Sequence, residues 1–280
     1  MPELPEVETV RVQLEPLLVG RTVVEAGSHP SAKFLPARET VGRRFDAVGR
    51  RGKFLILSIG DGGGNDKGTG PASTLELVVH LGMTGRLTVV DRPANQKNPY
   101  LRAWWAMDDG ATLEFHDVRR FGRIRLVDPG DYQSIPTLAH AGPEPFDPDF
   151  DGRAFWELLR RSRRPIKTQL LSQRPVAGVG NIYADEALWL ARINPKVRRL
   201  GRERASVLLD AIRDVLELGL RNGGTTLRDY RQVDGTEGSN QNQLNAYGRG
   251  SYPCPRCSAT LKSDHLDGRT TTWCPQCQRT

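Results

Sequence analysis

Apolar residues recur every three or four positions at the start of the chain: Leu4, Val7, Val10, Leu14 and Leu18. That spacing predicts a helix over 4–19, with Pro5 suited to its first turn and Gly20 to its stop. From 22 to about 129 the period shortens. Runs at 54–59, 75–80, 86–90, 104–107, 112–115 and 123–127 read as short β-strands, and Asp109-Gly110 between two of them is a hairpin signal. Many short strands separated by turn residues predict a sandwich or barrel. The Gly-rich stretch 60–73 predicts a flexible connector. A Pro- and Asp-rich link spans 130–150. Helical patterns then return at 151–162, 165–172, 181–192 and 203–221, followed by a Gly-, Asn- and Gln-rich loop from 223 to about 250.

Composition narrows the class. A chain of 280 residues with 38% hydrophobic positions can bury a real core as one large domain or two modest ones. No apolar run approaches the roughly 18 residues of a membrane span. The acidic, proline-rich start fails the pattern of a secretory signal, so the expected compartment is the cytosol. The 40 Lys and Arg against 33 Asp and Glu give a net charge of +7. The excess is uneven: residues 1–150 hold 18 basic and 20 acidic groups, residues 151–280 hold 22 and 13. The first half reads as a catalytic or structural body and the second as a surface for a polyanion. Of the basic residues 33 are Arg, whose guanidinium matches phosphate bidentately.

All four cysteines lie in the last 27 residues, as Cys254-x2-Cys257-x16-Cys274-x2-Cys277. In a cytosolic chain this spacing predicts a zinc site, not a disulfide framework. Four sulfurs leave zinc no open position, so one structural Zn2+ is expected. It would fold a tail too short to hold itself together.

Several residues could carry chemistry. Removal of Met1 before a small residue leaves Pro2 as a free secondary amine, with a pKa near that of α-amino groups, about 8. Attack of such an amine on a sugar C1′ gives an iminium that acts as an electron sink. Glu3 follows at once and can exchange protons with whatever the amine attacks. Pro and Glu at a helix start can equally be capping residues. Lys53 sits at the mouth of an apolar strand, where it can bind phosphate, shuttle protons or serve as a solvated edge charge. Asp117-Val-Arg-Arg-Phe-Gly122 places Arg119 beside Phe121. With Met83 these could form a wedge that enters a base stack, or Phe121 and Met83 could be core residues. Pro175–Ala184 is a Gly-rich turn entering a helix, whose free N–H groups can bind phosphate, with Asn181 and Tyr183 as further donors. Arg163 and Lys167 lie just upstream. Arg269 sits between the cysteine pairs, where it can probe a phosphate.

Together these segments resemble the bacterial formamidopyrimidine-DNA glycosylase family. The matches are Met1-Pro-Glu-Leu-Pro-Glu-Val-Glu-Thr9, Arg50-Arg-Gly-Lys53, His80-Leu-Gly-Met83, Arg119-Arg-Phe-Gly122, His140-Ala-Gly-Pro-Glu-Pro145, Gly178-Val-Gly-Asn-Ile-Tyr-Ala184, Gly223-Gly-Thr-Thr-Leu227, Tyr247-Gly-Arg249 and the cysteine set. They span nearly the whole chain in family order. The resemblance implies an α+β fold: an N-terminal β-sandwich with flanking helices over 1–130, a linker over 131–150, a helix-two-turns-helix domain over 151–245 and a β-hairpin zinc finger over 246–280. It implies a monomer that binds double-stranded DNA in the cleft between domains, in the bacterial cytoplasm at the nucleoid. The implied activity is excision of oxidised purines, 8-oxoguanine and formamidopyrimidines, followed by β,δ-elimination at the abasic site.

By the same resemblance Pro2 is the Schiff-base nucleophile, Glu3 the proton donor to the sugar, Lys53 the residue of β-elimination and Arg269 that of δ-elimination. Asn181 and Arg269 grip the phosphate beside the lesion. Met83, Arg119 and Phe121 fill the hole left by the extruded base. Arg163 and Lys167 fall where the family has basic DNA contacts, and Tyr183, a donor at the Gly-rich turn, is expected to touch DNA as well. The family's Lys-His-x-His segment is replaced by Gln96-Lys-Asn-Pro-Tyr100, so Tyr100 stands near the place of a DNA-touching His. The loop 237–244, Glu-Gly-Ser-Asn-Gln-Asn-Gln-Leu, falls where the family covers the extruded base. Two other readings fit parts of the chain. An endonuclease VIII-type glycosylase for oxidised pyrimidines typically starts Pro-Glu-Gly, whereas this chain has Leu4. A non-catalytic zinc-ribbon DNA-binding protein gives no reason for Pro2-Glu3.

Overall fold

The computed structural model describes residues 1–62 and 74–279, so most of the expected flexible connector lies outside the described residues. The chain divides into two compact units. One comprises residues 1–2, 6–139 and 223–238, the other residues 3–5, 140–222 and 239–280.

The first unit is a β-sandwich. Helix α1 (Leu4–Leu18) is followed by β1 (Val23–Ser28), β2 (Arg43–Arg51), β3 (Phe54–Asp61), β4 (Leu75–His80), β5 (Gly85–Val90), β6 (Leu101–Met107), β7 (Thr112–Asp117) and β8 (Arg123–Val127). They form two antiparallel sheets, ordered β1-β6-β7-β5 and β2-β3-β4-β8. The core joins Phe45, Leu55, Leu57, Leu77 and Val79 of one sheet to Trp105, Leu113 and Phe115 of the other, with Val7, Val10, Leu14 and Leu18 of α1 packed against them. The strands at 23–28 and 43–51 are absent from the sequence pattern. In Arg43-Arg-Phe-Asp-Ala-Val-Gly-Arg-Arg51 only Phe45 and Val48 are buried, three positions apart, which breaks the alternation of a strand. A register shift between Phe45 and Ala47 turns both inward. The segment 223–238, expected in the helical domain, belongs to this unit: Val233 N donates to the Gln13 side chain (2.9 Å) and Thr225 N to Glu6 (2.7 Å).

A short helix, α2 (Pro136–Ala139), lies within the expected link and closes the first unit. The second unit packs α3 (Gly152–Arg160), α4 (Ile166–Leu171), α5 (Asn181–Leu190) and α6 (Arg202–Arg221) around Phe155, Leu170, Tyr183, Leu188, Leu208 and Ile212. Asp151 caps α3 by accepting from Ala154 N (2.7 Å). The turn from α4 to α5 is held by Gln173, whose amide accepts from Gly178 N (2.9 Å) and donates to Val179 O (2.5 Å). The finger is the hairpin β9 (Lys262–Leu266) and β10 (Arg269–Trp273). Asp267 and Gly268 both have positive φ (47° and 73°), the backbone of a tight two-residue hairpin turn. That turn sets Arg269 at the exposed tip.

Candidate active site

Glu3 is 2% exposed, and its carboxylate sits on the N-terminus of α5. It accepts from Gly180 N (2.6 Å), Ile182 N (2.9 Å) and Tyr183 N (3.3 Å). The free N–H groups expected to take a phosphate are therefore occupied by the protein's own anion, which the helix dipole favours as it would favour phosphate. Gly180 is required there: a Cβ would overlap the Glu3 carboxyl group. Pro2, the preceding residue, is buried, and Met1 before it is exposed.

Asn181 opens α5 and donates to Thr270 O (3.2 Å), next to Arg269 in β10. The expected pair is thus carried on two adjoining elements. Lys167, expected on the surface as a DNA contact, is enclosed instead. It is 0% exposed, pairs with Asp185 (2.7 Å) and donates to Thr270 O and Thr271 Oγ1 (2.9 Å each). Asp185 also accepts from Thr272 N (3.0 Å). Burial pushes the Asp185 carboxyl up and the Lys167 ammonium down, and the attraction between them opposes both shifts. Lys167 thus fastens the finger strand to α4 and α5 and has no exposed surface of its own. Tyr183 is likewise corrected: it is fully buried, with its hydroxyl facing Gly219 and the Asn240 amide (3.5 Å). Arg163 is exposed in the turn between α3 and α4.

In the first unit Lys53 occupies the two-residue turn between β2 and β3, where Arg51 pairs with Phe54, and only 7% of it is exposed. Its charge reaches His80. Burial, then Lys53, Arg123 and the amino terminus, bring the His80 imidazole down to about 4 against a smaller opposing pull from Asp117. His80 is therefore neutral at pH 7; its Nδ1 accepts from Gly82 N (3.2 Å) and its ring lies 4.7 Å from that of Phe54. The amino terminus and Lys53 share one electrostatic neighbourhood around this ring.

Met83, Arg119 and Phe121 come together. Arg119 Nη1 lies 3.3 Å from Met83 Sδ, and its guanidinium carbon stands 4.7 Å from the Phe121 ring centre. Phe121 is 45% exposed, which removes the core reading for it. Beneath the trio lies Asp117, fully buried, a residue to which the sequence pattern assigns no role. It accepts from Thr84 Oγ1 and from Gly122 N (2.7 Å), while Thr84 Oγ1 accepts from Arg119 N (3.0 Å). A Cβ at Gly82 would lie 2.5 Å from Gly122 N, so two loops meet here at backbone distance. Tyr100 is 48% exposed, and its carbonyl accepts from Asp117 N (2.9 Å).

The sulfurs of Cys254, Cys257, Cys274 and Cys277 lie within 4.8 Å of one another, a donor set that fits one tetrahedral zinc. Trp189 at the end of α5 donates its indole N–H to Cys254 Sγ (3.4 Å). The Arg256 guanidinium stacks 4.1 Å from that indole. Glu186 on the same helix accepts from Asn245, Ala246 and Tyr247 N (2.8 Å each), which pins the end of the loop expected to cover the base. No sequence periodicity marks Trp189 or Glu186, since both lie in a helix buried on nearly every side.

Three family models match in order: the formamidopyrimidine-DNA glycosylase N-terminal domain over 1–124, its H2TH domain over 141–231, and a zinc finger found in FPG and IleRS over 253–280. A formamidopyrimidine-DNA glycosylase of Deinococcus radiodurans is 42% identical, covering 99% of this chain and 97% of that protein. One of Thermus thermophilus is 44% identical, covering 99% and 98%. Among solved structures, MutM (Fpg) of Thermus thermophilus superposes with a TM-score of 0.86 at 43% identity, covering 99% of this chain and 98% of that one. Lactococcus lactis Fpg bound to DNA with an abasic site gives 0.82 at 34%, covering 99% and 100%. A Lactococcus lactis variant bound to DNA with Fapy-dG gives 0.84 at 35%, covering all of both chains.

Two measurements check this geometry. Between pH 6.5 and about 4 the unfolded chain binds a proton at His80 that the folded protein refuses, so stability falls as pH drops through that window. Replacing His80 by Asn should flatten the acid limb of a denaturation series by an amount on the order of 3 kcal/mol. Replacing Trp189 by Phe removes the N–H···S bond but keeps the ring. Zinc release to a chelator should then be faster, reflecting an affinity loss of about 10- to 100-fold.

Proposed function

This chain belongs to the formamidopyrimidine-DNA glycosylase family, and from that premise we propose how its own residues excise an oxidised purine and cleave the strand. The protein is a DNA glycosylase of base excision repair with abasic-site lyase activity. Its substrate is double-stranded DNA carrying 8-oxoguanine, formamidopyrimidines or abasic sites, matching the Fapy-dG and abasic-site DNA of its structural neighbours. It carries one structural zinc. No helix among the described residues is long and apolar enough to cross a membrane. We place the enzyme with the chromosome in the cytoplasm.

The observation that carries the reading is the exposed trio of Met83, Arg119 and Phe121, held from below by Asp117. A glycosylase must extrude its target nucleotide, at a cost of a few kcal/mol, and something must fill the gap. Two apolar side chains and a guanidinium stacked on one of them suit that gap. A solvated surface would gain nothing from keeping Phe121 exposed.

The chemistry then proceeds from the amino terminus. After Met1 is removed, the Pro2 nitrogen attacks C1′ as the bond to the purine breaks, and the base leaves with a proton. Glu3, fixed as an anion by three backbone donors, takes the proton that the Pro2 nitrogen loses as the C–N bond forms and passes it to the sugar ring oxygen as the ring opens. The resulting iminium draws electrons from C2′. Loss of a C2′ proton expels the 3′ phosphate, and a further elimination expels the 5′ phosphate. Lys53 supports the departing purine and the opening sugar with its charge and also serves the first elimination. Arg269 and Asn181 hold the phosphate beside the lesion through the second. Arg163 and Tyr100 are further contacts to the backbone.

Borohydride should trap the iminium as a covalent protein–DNA adduct. An N-terminal extension that leaves Pro2 as an amide should abolish both trapping and excision. Full trapping by protein with an intact, blocked terminus would remove Pro2 from the mechanism. Lys53→Ala should lose far more single-turnover activity on 8-oxoguanine opposite cytosine than on a pre-made abasic site, whose sugar opens unaided. Equal losses on the two substrates would confine Lys53 to the elimination or the phosphate that both substrates share.

A further inference from the structure

Five basic residues fall within nine positions, Lys196, Arg198, Arg199, Arg202 and Arg204, and the mechanism uses none of them. In the second unit α3 and the loop entering α6 enclose a cavity of about 280 Å³ beside this run. Its wall is Trp156, fixed by an indole N–H bond to Leu200 O (3.0 Å). Two guanidiniums stack on that indole, with Arg160 at 4.6 Å and Arg202 at 5.1 Å from the ring centre. Arg198 and Arg199 form the exposed rim.

The other basic groups nearby are engaged by the protein. Lys196 pairs with Asp264 (2.5 Å) and lies over Trp273, and Arg204 donates to Arg192 O (3.2 Å). Arg160 keeps an exposed contact with Glu157 at 3.4 Å. Among the described residues, no carboxylate pairs with Arg198, Arg199 or Arg202. Two cations on the cavity rim, Arg198 and Arg199, and a third, Arg202, on the indole that walls it thus lack a protein counterion among the described residues.

Stacking on an indole holds a guanidinium in one plane and leaves its N–H edge free for acceptors. That is the arrangement a phosphate oxygen pair takes bidentately. A single small anion would gain little from charges so exposed, because water screens them. A polyanion gains more, since each phosphate neutralised releases condensed counterions. We infer that the Trp156 pocket, with Arg198, Arg199 and Arg202, is a second phosphate-binding site that takes DNA backbone away from the damaged nucleotide. The inference rests on the DNA-repair reading above and adds to it a contact separate from Asn181 and Arg269.

The test uses the whole zinc-loaded protein, an Arg198→Ala/Arg199→Ala double variant, and the matching Lys/Lys variant. Binding is measured against salt on an undamaged duplex of about 40 base pairs and on a lesion duplex of about 13 base pairs. On the long duplex the Ala/Ala variant should lose about two units from the slope of log affinity against log salt, and Lys/Lys should restore most of it. On the short duplex, slope and single-turnover excision should match the unaltered protein. An unchanged slope on the long duplex overturns the site. An equal loss on both duplexes also overturns it, because the arginines would then belong to the lesion grip. Failure of the unaltered protein to excise the lesion would count against the glycosylase reading, and the long-duplex slope would still decide the pocket.

Discussion

The amino-terminal end of this chain depends on one buried carboxylate. Glu3 loses its water on folding, and the N-terminus of α5 returns three N–H donors and the positive end of a helix dipole. Everything near it is shaped to allow this. Gly180 has no Cβ because one would strike the carboxyl group, and Gly178, at φ +84°, has none because one would lie 2.5 Å from Leu4. Gln173 holds the intervening turn from the inside. The second residue of the chain is therefore not a loose end. It is bonded directly to a residue whose side chain is fixed on the start of a buried helix.

The same device recurs wherever a loop must be held still. Asp117 sits under the exposed trio, Asp185 under the finger strand and Glu186 under the end of the 239–247 segment. Each is almost wholly enclosed and each accepts backbone N–H groups. A buried carboxylate is costly to desolvate, and removal of its partners leaves that cost uncompensated. Such groups are poor general stabilisers but good selectors of one loop geometry. Lys167 completes the pattern from the cationic side, paired with Asp185 and bonded to Thr270 and Thr271 inside the fold.

Periodicity in the sequence located α1, α3 and α6 to within a few residues, because each buries a stripe of apolar side chains at helical spacing, whereas α5, buried on nearly every side, is marked by the Gly-rich turn before it. It also placed the central strands 54–59, 75–80 and 112–115, which are apolar on the core face. It missed 23–28 and 43–51, whose apolar residues are few and, in the second, shifted by a bulge. The cysteine spacing carried its own chemistry and needed no fold. Lys167 and Tyr183 show the opposite limit. The family's basic contacts suggested DNA for Lys167 and the Gly-rich turn suggested it for Tyr183, yet what a helix residue faces is set by the element packed on it, and no local pattern reveals that β10 covers α4. Trp189 and Asp117 were illegible for the same reason, their partners lying 65 positions away in Cys254 and 33 away in Thr84.

The non-contiguous make-up of the two units bears on how the protein is made. The β-sandwich is complete only when residues 223–238 reach it, where Gln13 and Glu6 on the first helix await Val233 and Thr225. Synthesis at roughly 5–20 residues per second puts on the order of ten seconds or more between the first hairpin of the sandwich and its last segment. The helical unit likewise needs residues 3–5 from the far end of the chain. The sandwich cannot finish folding while the ribosome is still on residues 140–222 of the helical unit, and the helical unit waits for 239–280. Birth of this protein is thus a late, joint event, and a nick between residues 139 and 223 would separate each unit from a piece of its own interior.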